Sequence, residues 1–205
     1  MANIIKLTAS DGSTVEFYDE IKAQGGVKDV YFSTDKTYVV AFYRNPTNAN
    51  DKARLENIVG VYREKIFVQN SDGDYWNDIF AWPTKMVEWK GLTGIVIPFY
   101  NKKFFFTGID AQWPFIKNGQ EKNGKWFSSA KLINKFVPAD QKGTFLSRLH
   151  MCLKIARGIR RIHAAGLAHS DLSYNNVLVD PLSGSACIID DDGLVVPGKF
   201  PPEVG

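Results

Sequence analysis

The sequence predicts an α+β fold in two lobes, the second of them incomplete. Three observations carry that prediction: a strand-rich first hundred residues, one long amphipathic helix at Thr144 to Ala165, and a polar loop with a second strand hairpin after it. A chain of 205 residues can bury a real core, and 44% hydrophobic with 13% aromatic residues excludes a disordered or collagen-like polypeptide.

The elements follow in order. Ile4 to Leu7 and Thr14 to Phe17 are short alternating runs joined by the turn Ser10-Asp11-Gly12. A second hairpin runs from Asp29 to Ser33 and back along Thr37 to Tyr43, rich in the Val and Tyr that strands favour. Asn45-Pro46-Thr47-Asn48 breaks that strand and supplies helix caps. Leu55, Ile58, Val59 and Tyr62 then recur at helical spacing between Asp51 and about Lys65. Ser71-Asp72-Gly73-Asp74 predicts a loop, and Thr84 to Trp89 with Gly94 to Tyr100 a third hairpin around Lys90-Gly91. From Asn101 to Lys142 the chain is polar with scattered aromatics, and a short helix is expected near Ser129 to Phe136. Lys102-Lys103 and Lys122 to Lys125 read as solvated surface, and Phe104-Phe105-Phe106 as cover for an apolar edge or a docking groove. In the long helix Leu146, Leu149, Cys152, Leu153, Ala156, Ile159, Ile162 and His163 form one apolar face, with Gly166 placed as a C-terminal cap. Val177-Leu178-Val179 and Ala186 to Ile189 make the last hairpin.

Composition excludes several function classes. The net charge of +3, from 25 Lys and Arg against 22 Asp and Glu, is too small for a chain that coats nucleic acid or anionic membrane, so neither is expected as a partner. No apolar run approaches the ~20 residues of a membrane span, and Met1 to Asp11 lacks a secretory pattern, so the expected location is the cytoplasm. Two cysteines, Cys152 and Cys187, make neither a disulfide framework nor a zinc set.

The chemistry concentrates in His169-Ser170-Asp171-Leu172-Ser173-Tyr174-Asn175-Asn176 and in Asp190-Asp191-Asp192-Gly193 after the last hairpin. Asp171 and Asn176 lie five positions apart, and the hairpin returns Asp190 beside them. Phosphoryl transfer needs such a set: an Asp to accept a hydroxyl proton, and an amide oxygen and a carboxylate to grip Mg2+ on a nucleotide. The pattern resembles the catalytic loop and metal-binding Asp of protein kinases.

That resemblance extends along the chain. Gln24-Gly25-Gly26-Val27-Lys28-Asp29-Val30-Tyr31 resembles the phosphate-covering loop, Val39-Val40-Ala41-Phe42-Tyr43 the third strand, and the helix bearing Glu56 the regulatory helix. Ile95 to Tyr100 resembles the strand entering the hinge. Ala81-Trp82-Pro83, Ile97-Pro98, His169-Ser170-Asp171-Leu172-Ser173 and Val195-Val196-Pro197-Gly198-Lys199-Phe200-Pro201-Pro202-Glu203 look like a bacterial kinase family often joined to a helix-hairpin-helix or similar C-terminal region. The resemblance implies residues 1–100 as a β-rich lobe with one regulatory helix, and 101–205 as the hinge and first part of a helical lobe. It further implies ATP and Mg2+, with Mn2+ as alternative, a Ser/Thr-bearing protein substrate, and a PP2C-type phosphatase and a von Willebrand A-type protein as partners. Asp171 would take the hydroxyl proton, and Asn176 and Asp190 would hold the metal. Gly25 and Gly26 would cover the phosphates, Val30 and Ala41 would sandwich adenine, and the backbone at Pro98, Phe99 and Tyr100 would meet its edge.

The sequence also departs from the pattern. Tyr43 stands where the third strand carries its Lys, whereas Lys28 occupies the place from which with-no-lysine kinases supply theirs; the competing reading of Lys28 is a solvated strand lysine. Its acidic partner from the helix would be Glu56, with Glu64 second. Ser170 and Ser173 replace the customary Arg and Lys of the loop. Counting from strand Ile188-Ile189 makes Asp190 the metal ligand, and counting back from Gly193 makes it Asp191; the strand favours Asp190. Two other readings stand beside an active protein kinase: a pseudokinase that regulates or recruits a partner, and a small-molecule kinase. The Ala-Pro-Glu segment and the helices after it are not in the 205 residues, so a fragment of a longer kinase is expected.

Overall fold

The computed structural model describes residues 2–67, 73–110 and 115–199; Ser71 and Asp72 of the expected loop, and Phe200 to Glu203 of the last motif, lie outside them. Six strands form one antiparallel sheet: β1 (Ile4–Thr8), β2 (Thr14–Gln24), β3 (Lys28–Ser33), β4 (Tyr38–Tyr43), β5 (Lys85–Trp89) and β6 (Leu92–Pro98), in the spatial order β1-β2-β3-β4-β6-β5. Strand alternation assigns the two faces. Phe17, Tyr31, Phe42 and Trp89 pack edge to face or tilted on one side, Phe17 and Trp89 with ring centroids 5.3 Å apart. Gly94 permits this, because a Cβ there would meet the Phe42 ring at 2.6 Å. The other face carries Lys28 and Val30 of β3 opposite Tyr43 and Ala41 of β4. β6 ends at Pro98, where the Phe99 N–H turns to donate to the Thr37 carbonyl at 3.0 Å, so Phe99 and Tyr100 leave the sheet earlier than the sequence suggested.

Asn48 caps helix α1 (Ala49–Asn57), accepting from the Asp51 N–H at 2.9 Å. The helix continues through a π-helical turn at Ile58–Tyr62 into α2 (Arg63–Phe67), and Trp82 Nε1 donates to the Ile58 carbonyl at 2.9 Å. A short helix, α3 (Gly73–Asn77), begins where Gly73 and Asp74 were expected in a loop.

Between β6 and the long helix, among the described residues, lie three 3-10 turns and α4 (Ala130–Phe136), with Ser129 as its cap. Phe104 and Phe106 are fully buried. Lys122 is not solvated. Its carbonyl accepts from the Val179 N–H at 2.7 Å, which draws it under the last hairpin, and its ammonium pairs there with the buried Asp180 carboxylate at 3.2 Å. Burial pushes the Asp180 carboxyl up, but hydrogen bonds from Ser183 and Lys122 and the Lys122 charge leave it below the usual range.

Thr144 and Ser147 form a capping box at the start of α5 (Phe145–Ala164), and Gly166 follows its end with φ +84°. The apolar face expected of this helix divides. Met151, Gly158 and Ile162 turn inward, α5 packing on the last hairpin, whereas Leu146, Leu149 and Leu153 stay exposed. Strands β7 (Ala168–His169), β8 (Val177–Asp180), β9 (Ser185–Ile188) and β10 (Leu194–Val195) follow, β8 pairing with β9 and β7 with β10. Among the described residues, no helix is long and apolar enough to cross a membrane.

Candidate functional site

The β3–β4 register sets the roof of the site. Because Lys28 lies directly across from Tyr43, both side chains leave the same face of the sheet, above the loop that follows β7. Gly25 and Gly26 form the turn between β2 and β3; the Gly25 N–H donates to the Lys28 carbonyl at 2.9 Å, and Arg44 donates to the carbonyls of both glycines.

The floor is built by hydrogen bonds between separate stretches. Asn176 Nδ2 donates to the Asp171 carbonyl at 2.7 Å and to its Oδ2 at 3.0 Å, which leaves Oδ1 as the amide's acceptor. The Ile189 N–H donates to the Asn176 carbonyl at 3.0 Å, holding the end of β9 against the loop. His169 ties the two together: its Nδ1 accepts from the Asp171 N–H at 3.3 Å and its Nε2 lies 3.3 Å from the Ile189 carbonyl, a geometry that assigns the ring proton to Nε2. Ser170 Oγ donates to the Gly193 carbonyl at 2.7 Å. Asp190 follows in the left-handed region at φ 60°, with its side chain half exposed.

Roof and floor meet through charge. Lys28 Nζ stands 2.8 Å from both oxygens of Asp192 and 3.2 Å from Asp190 Oδ1. Burial favours a neutral amine at Lys28, but the Asp192 and Asp190 carboxylates outweigh it and raise its pKa. Burial likewise pushes Asp192 up, and the Lys28 charge with bonds from Lys28 and Tyr43 brings it below the usual carboxylate range. Tyr43 Oη donates to Asp192 Oδ2, and burial followed by the Asp192 charge keeps this phenol protonated. Asp191 points the other way. It is 1% exposed, neither carboxyl oxygen has a hydrogen-bond partner, and burial, then Asp192 and Asp190, hold its pKa well above the usual range. Asp190 lines the cavity and Asp191 does not.

The result is a cavity of about 400 Å³ lined by Gly25, Gly26, Lys28, Val30, Asp171, Asn176 and Asp190. The other residues singled out in the sequence lie elsewhere. Glu56 is exposed and lies beside Lys52 and Glu88 at the edge of the sheet, and Glu64 is also exposed. With Leu55 and Ile58 taking the core, the residue before Leu55 faces the cleft and the one after it faces away. Arg54 therefore occupies the expected place of the glutamate; 2% exposed, it donates to the carbonyls of Asp192 and, at 3.3 Å, Leu194. Ala41 is 1% exposed, packed in one apolar cluster with Leu178, Cys187 and Ile189, and Tyr100 packs against that cluster. Burial, then the Asp190 and Glu121 carboxylates, raise the Tyr100 phenol well above its ordinary pKa. Val30 lines the cavity, Ala41 is covered by its apolar neighbours, and Pro98, Phe99 and Tyr100 line a separate cavity of about 210 Å³ with Ala81, Phe104 and Cys187. Sequence reasoning missed Asp192, Tyr43 and Arg54. The Lys28–Tyr43 register was available from the hairpin, whereas nothing local marks Arg54.

The donor set suits a hard cation. Asp171, Asp190 and Asp192 outnumber Lys28 and Arg54, and Asn176 adds a neutral oxygen. Among the described residues, no three His, Cys, Asp or Glu side chains form a cage for an ion. Mg2+ does not need one, because it keeps several waters and phosphate oxygens and binds through one or two protein oxygens. The polar lining thus fits a metal-bound phosphate chain, whereas Ala41, one of the two side chains expected to sandwich a base, is covered.

No family model and no curated protein sequence matches the chain. Solved structures do. A rhoptry kinase from Toxoplasma gondii aligns with TM-score 0.55 and 12% identity over 95% of this chain and 51% of that one. ROP2 from Toxoplasma gondii, a virulence factor described as having a protein-kinase fold and no enzymatic activity, aligns with TM-score 0.53 and 14% identity over 99% and 58%. Vaccinia related kinase 3 aligns with TM-score 0.51 and 11% identity over 93% and 51%. The chain spans just over half the length of each of these proteins, and at such identities the likeness establishes the fold: an incomplete protein-kinase fold.

Proposed function

We propose that the chain is the nucleotide- and metal-binding part of a protein kinase that transfers the γ-phosphoryl group of ATP to a Ser or Thr hydroxyl of a protein. One observation carries this reading: Lys28, Asp171, Asn176 and Asp190, from separate stretches of sequence, line a single cavity beneath Gly25-Gly26. In this reading Asp171, oriented by the Asn176 amide, accepts the proton of the attacking hydroxyl, help worth about 10²–10⁴ in rate. Asn176 Oδ1 and Asp190 would hold Mg2+, which would supply positive charge beside the phosphates. Lys28 turns its ammonium from Asp190 to a phosphate oxygen while keeping Asp192, and the side-chain-free Gly25-Gly26 turn covers the phosphates. Val30 and Ala41, with the backbone of Pro98 to Tyr100, take the adenine once the apolar end opens. Residues 1–100 and 101–205 are the two lobes of this reading, and a cytoplasmic bacterial kinase acting with a PP2C-type phosphatase and a von Willebrand A-type protein is its biological setting.

A second reading has its own support. The closed surface at Ala41 and the two carboxylates on Lys28 favour a regulatory module that binds nucleotide weakly or not at all. Transfer from γ-labelled ATP with Mg2+, compared between wild type and Asp171→Asn, separates the two. A loss of about 100-fold or more in the variant supports the kinase, from the expected size of general-base catalysis. Indistinguishable traces from both proteins would favour the regulatory module.

A further inference from the structure

We propose that Arg54 and Tyr43 are positioning residues through which helix α1 and strand β4 set the metal-binding segment, by an arginine-to-backbone clamp and a buried phenol. The proposal deepens the reading above, on which it rests only for Asp190 as the metal ligand.

A kinase helix would be expected to reach the site with a carboxylate that grips the phosphate-binding lysine. Here the polarity is reversed. The helix contributes a cation, Arg54, and the carboxylate, Asp192, belongs to the metal-binding segment itself. Arg54 Nη1 donates to the carbonyls of Asp192 and Leu194, which flank Gly193, and Asp51 lies 3.6 Å from the guanidinium on the same helix. Buried charge is costly unless its donors are satisfied. A rotation or withdrawal of α1 that broke these bonds would leave two carbonyls without partners and the guanidinium with Asp51 alone, so intermediate positions are disfavoured and the helix either clamps the segment or releases it.

The Asp192 side chain is fixed independently from the sheet. Lys28 of β3 and Tyr43 of β4 stand opposite each other and bond to the same carboxylate. Three elements thus converge on one residue, which lies two positions after Asp190. Asp190 itself is half exposed, so its position over the cavity depends on the anchors that follow it. Movement of α1 is in this way transmitted to the metal ligand, with no acidic residue on the helix needed.

Amide hydrogen exchange on the 205-residue chain tests this without any nucleotide. Tyr43→Phe removes one hydroxyl, and Arg54→Lys keeps the charge but, one atom shorter, draws back the nitrogen that bonds both carbonyls. In both variants the amides from Asp191 to Leu194 are expected to exchange at least about 10-fold faster than in wild type, the loss of roughly one hydrogen bond to a charged group, with β3 and β4 amides changed less than about twofold. Lys122→Met, which breaks a buried ion pair away from the site, serves as the control and should leave the segment at its wild-type rate. Unchanged exchange of the segment in both variants, or an equal rise across sheet and segment, overturns the proposal. A Mg–ATP titration run in parallel keeps the two readings apart: a wild type that binds no nucleotide yet shows the local exchange pattern would remove the proposed function and leave the clamp standing.

Discussion

At the polar end of the cleft Lys28, Asp192, Tyr43 and Arg54 bury charge against charge, whereas at the apolar end Ala41, Leu178, Cys187, Ile189 and Tyr100 bury carbon against carbon. The two ends lie side by side under one sheet and respond to emptiness in opposite ways. Hydrogen bonds are directional and leave costly unpaired groups when broken, so the polar end keeps its shape and its cavity. Apolar contact has no preferred direction and gains from every area removed from water, so the apolar end closes on itself. Under the proposed function, phosphate and metal would therefore meet a prepared site, and a base would have to displace the side chains over Ala41.

The largest effect should come from the polar end. Lys28→Met leaves Asp192 buried without its cation, and removing one partner of a buried pair costs about 3 kcal/mol or more. Urea unfolding should show that loss, and Lys28→Met/Asp192→Asn should recover part of it, because the uncompensated charge goes too. A double variant no more stable than the single one would show that Asp192 is not held by this pair.

The matching perturbation at the apolar end is Leu178→Ala. Leu178 is fully buried, and truncation should cost about 2–5 kcal/mol in unfolding free energy. No second substitution should recover it the way a charge removal does, since the cavity has no partner to delete. If replacing a neighbour by a polar residue restored the stability, the contrast between the ends would fail.

How far these ends were legible beforehand follows from the same contrast. That Asp171, Asn176 and Asp190 come together was legible because a loop and a hairpin fix them within a short stretch, and the Lys28 orientation followed from β-strand alternation. Glu56 failed because helical periodicity leaves the rotation of a helix uncertain by a residue or two, and Arg54, two positions earlier, proved to face the cleft. Lys122 failed because charge usually implies solvent, and Asp180, far along the chain, supplies its counter-ion. The closure over Ala41 had no local signal, because which apolar surfaces meet is settled by tertiary packing.

Tyr100→Ala probes that closure. Removing the ring should uncover the surface at Ala41 and Leu178 to a nucleobase without altering the phosphate end. In wild type, ATP and inorganic tripolyphosphate with Mg2+ should bind with similar Kd by calorimetry. In the variant ATP should gain about 10-fold relative to tripolyphosphate, the worth of some 1.4 kcal/mol of apolar burial. Because the two ligands are compared on one protein, a general loss of stability cancels. A ratio unchanged by the substitution would mean that Tyr100 is not what keeps the base out.

The smallest expected effect joins the two ends. Glu121 pairs by its backbone with Phe105, and burial, then the Asp190 charge, raise its pKa above the ordinary value of 4.5. A carboxyl whose folded pKa is raised favours the folded state only while protonated, so its ionisation costs stability as pH rises from 4.5 through the folded value. Glu121→Gln should accordingly raise the melting temperature at pH 7, by no more than about 4 °C for a chain of this size. The advantage should shrink as pH falls toward 4.5, where both proteins carry a neutral side chain. Saturating Mg2+ should narrow it further at pH 7, because a cation on Asp190 relieves part of the repulsion that Glu121 meets. An advantage that persists unchanged at low pH would trace to packing, and one indifferent to Mg2+ would argue that the ion does not sit at Asp190.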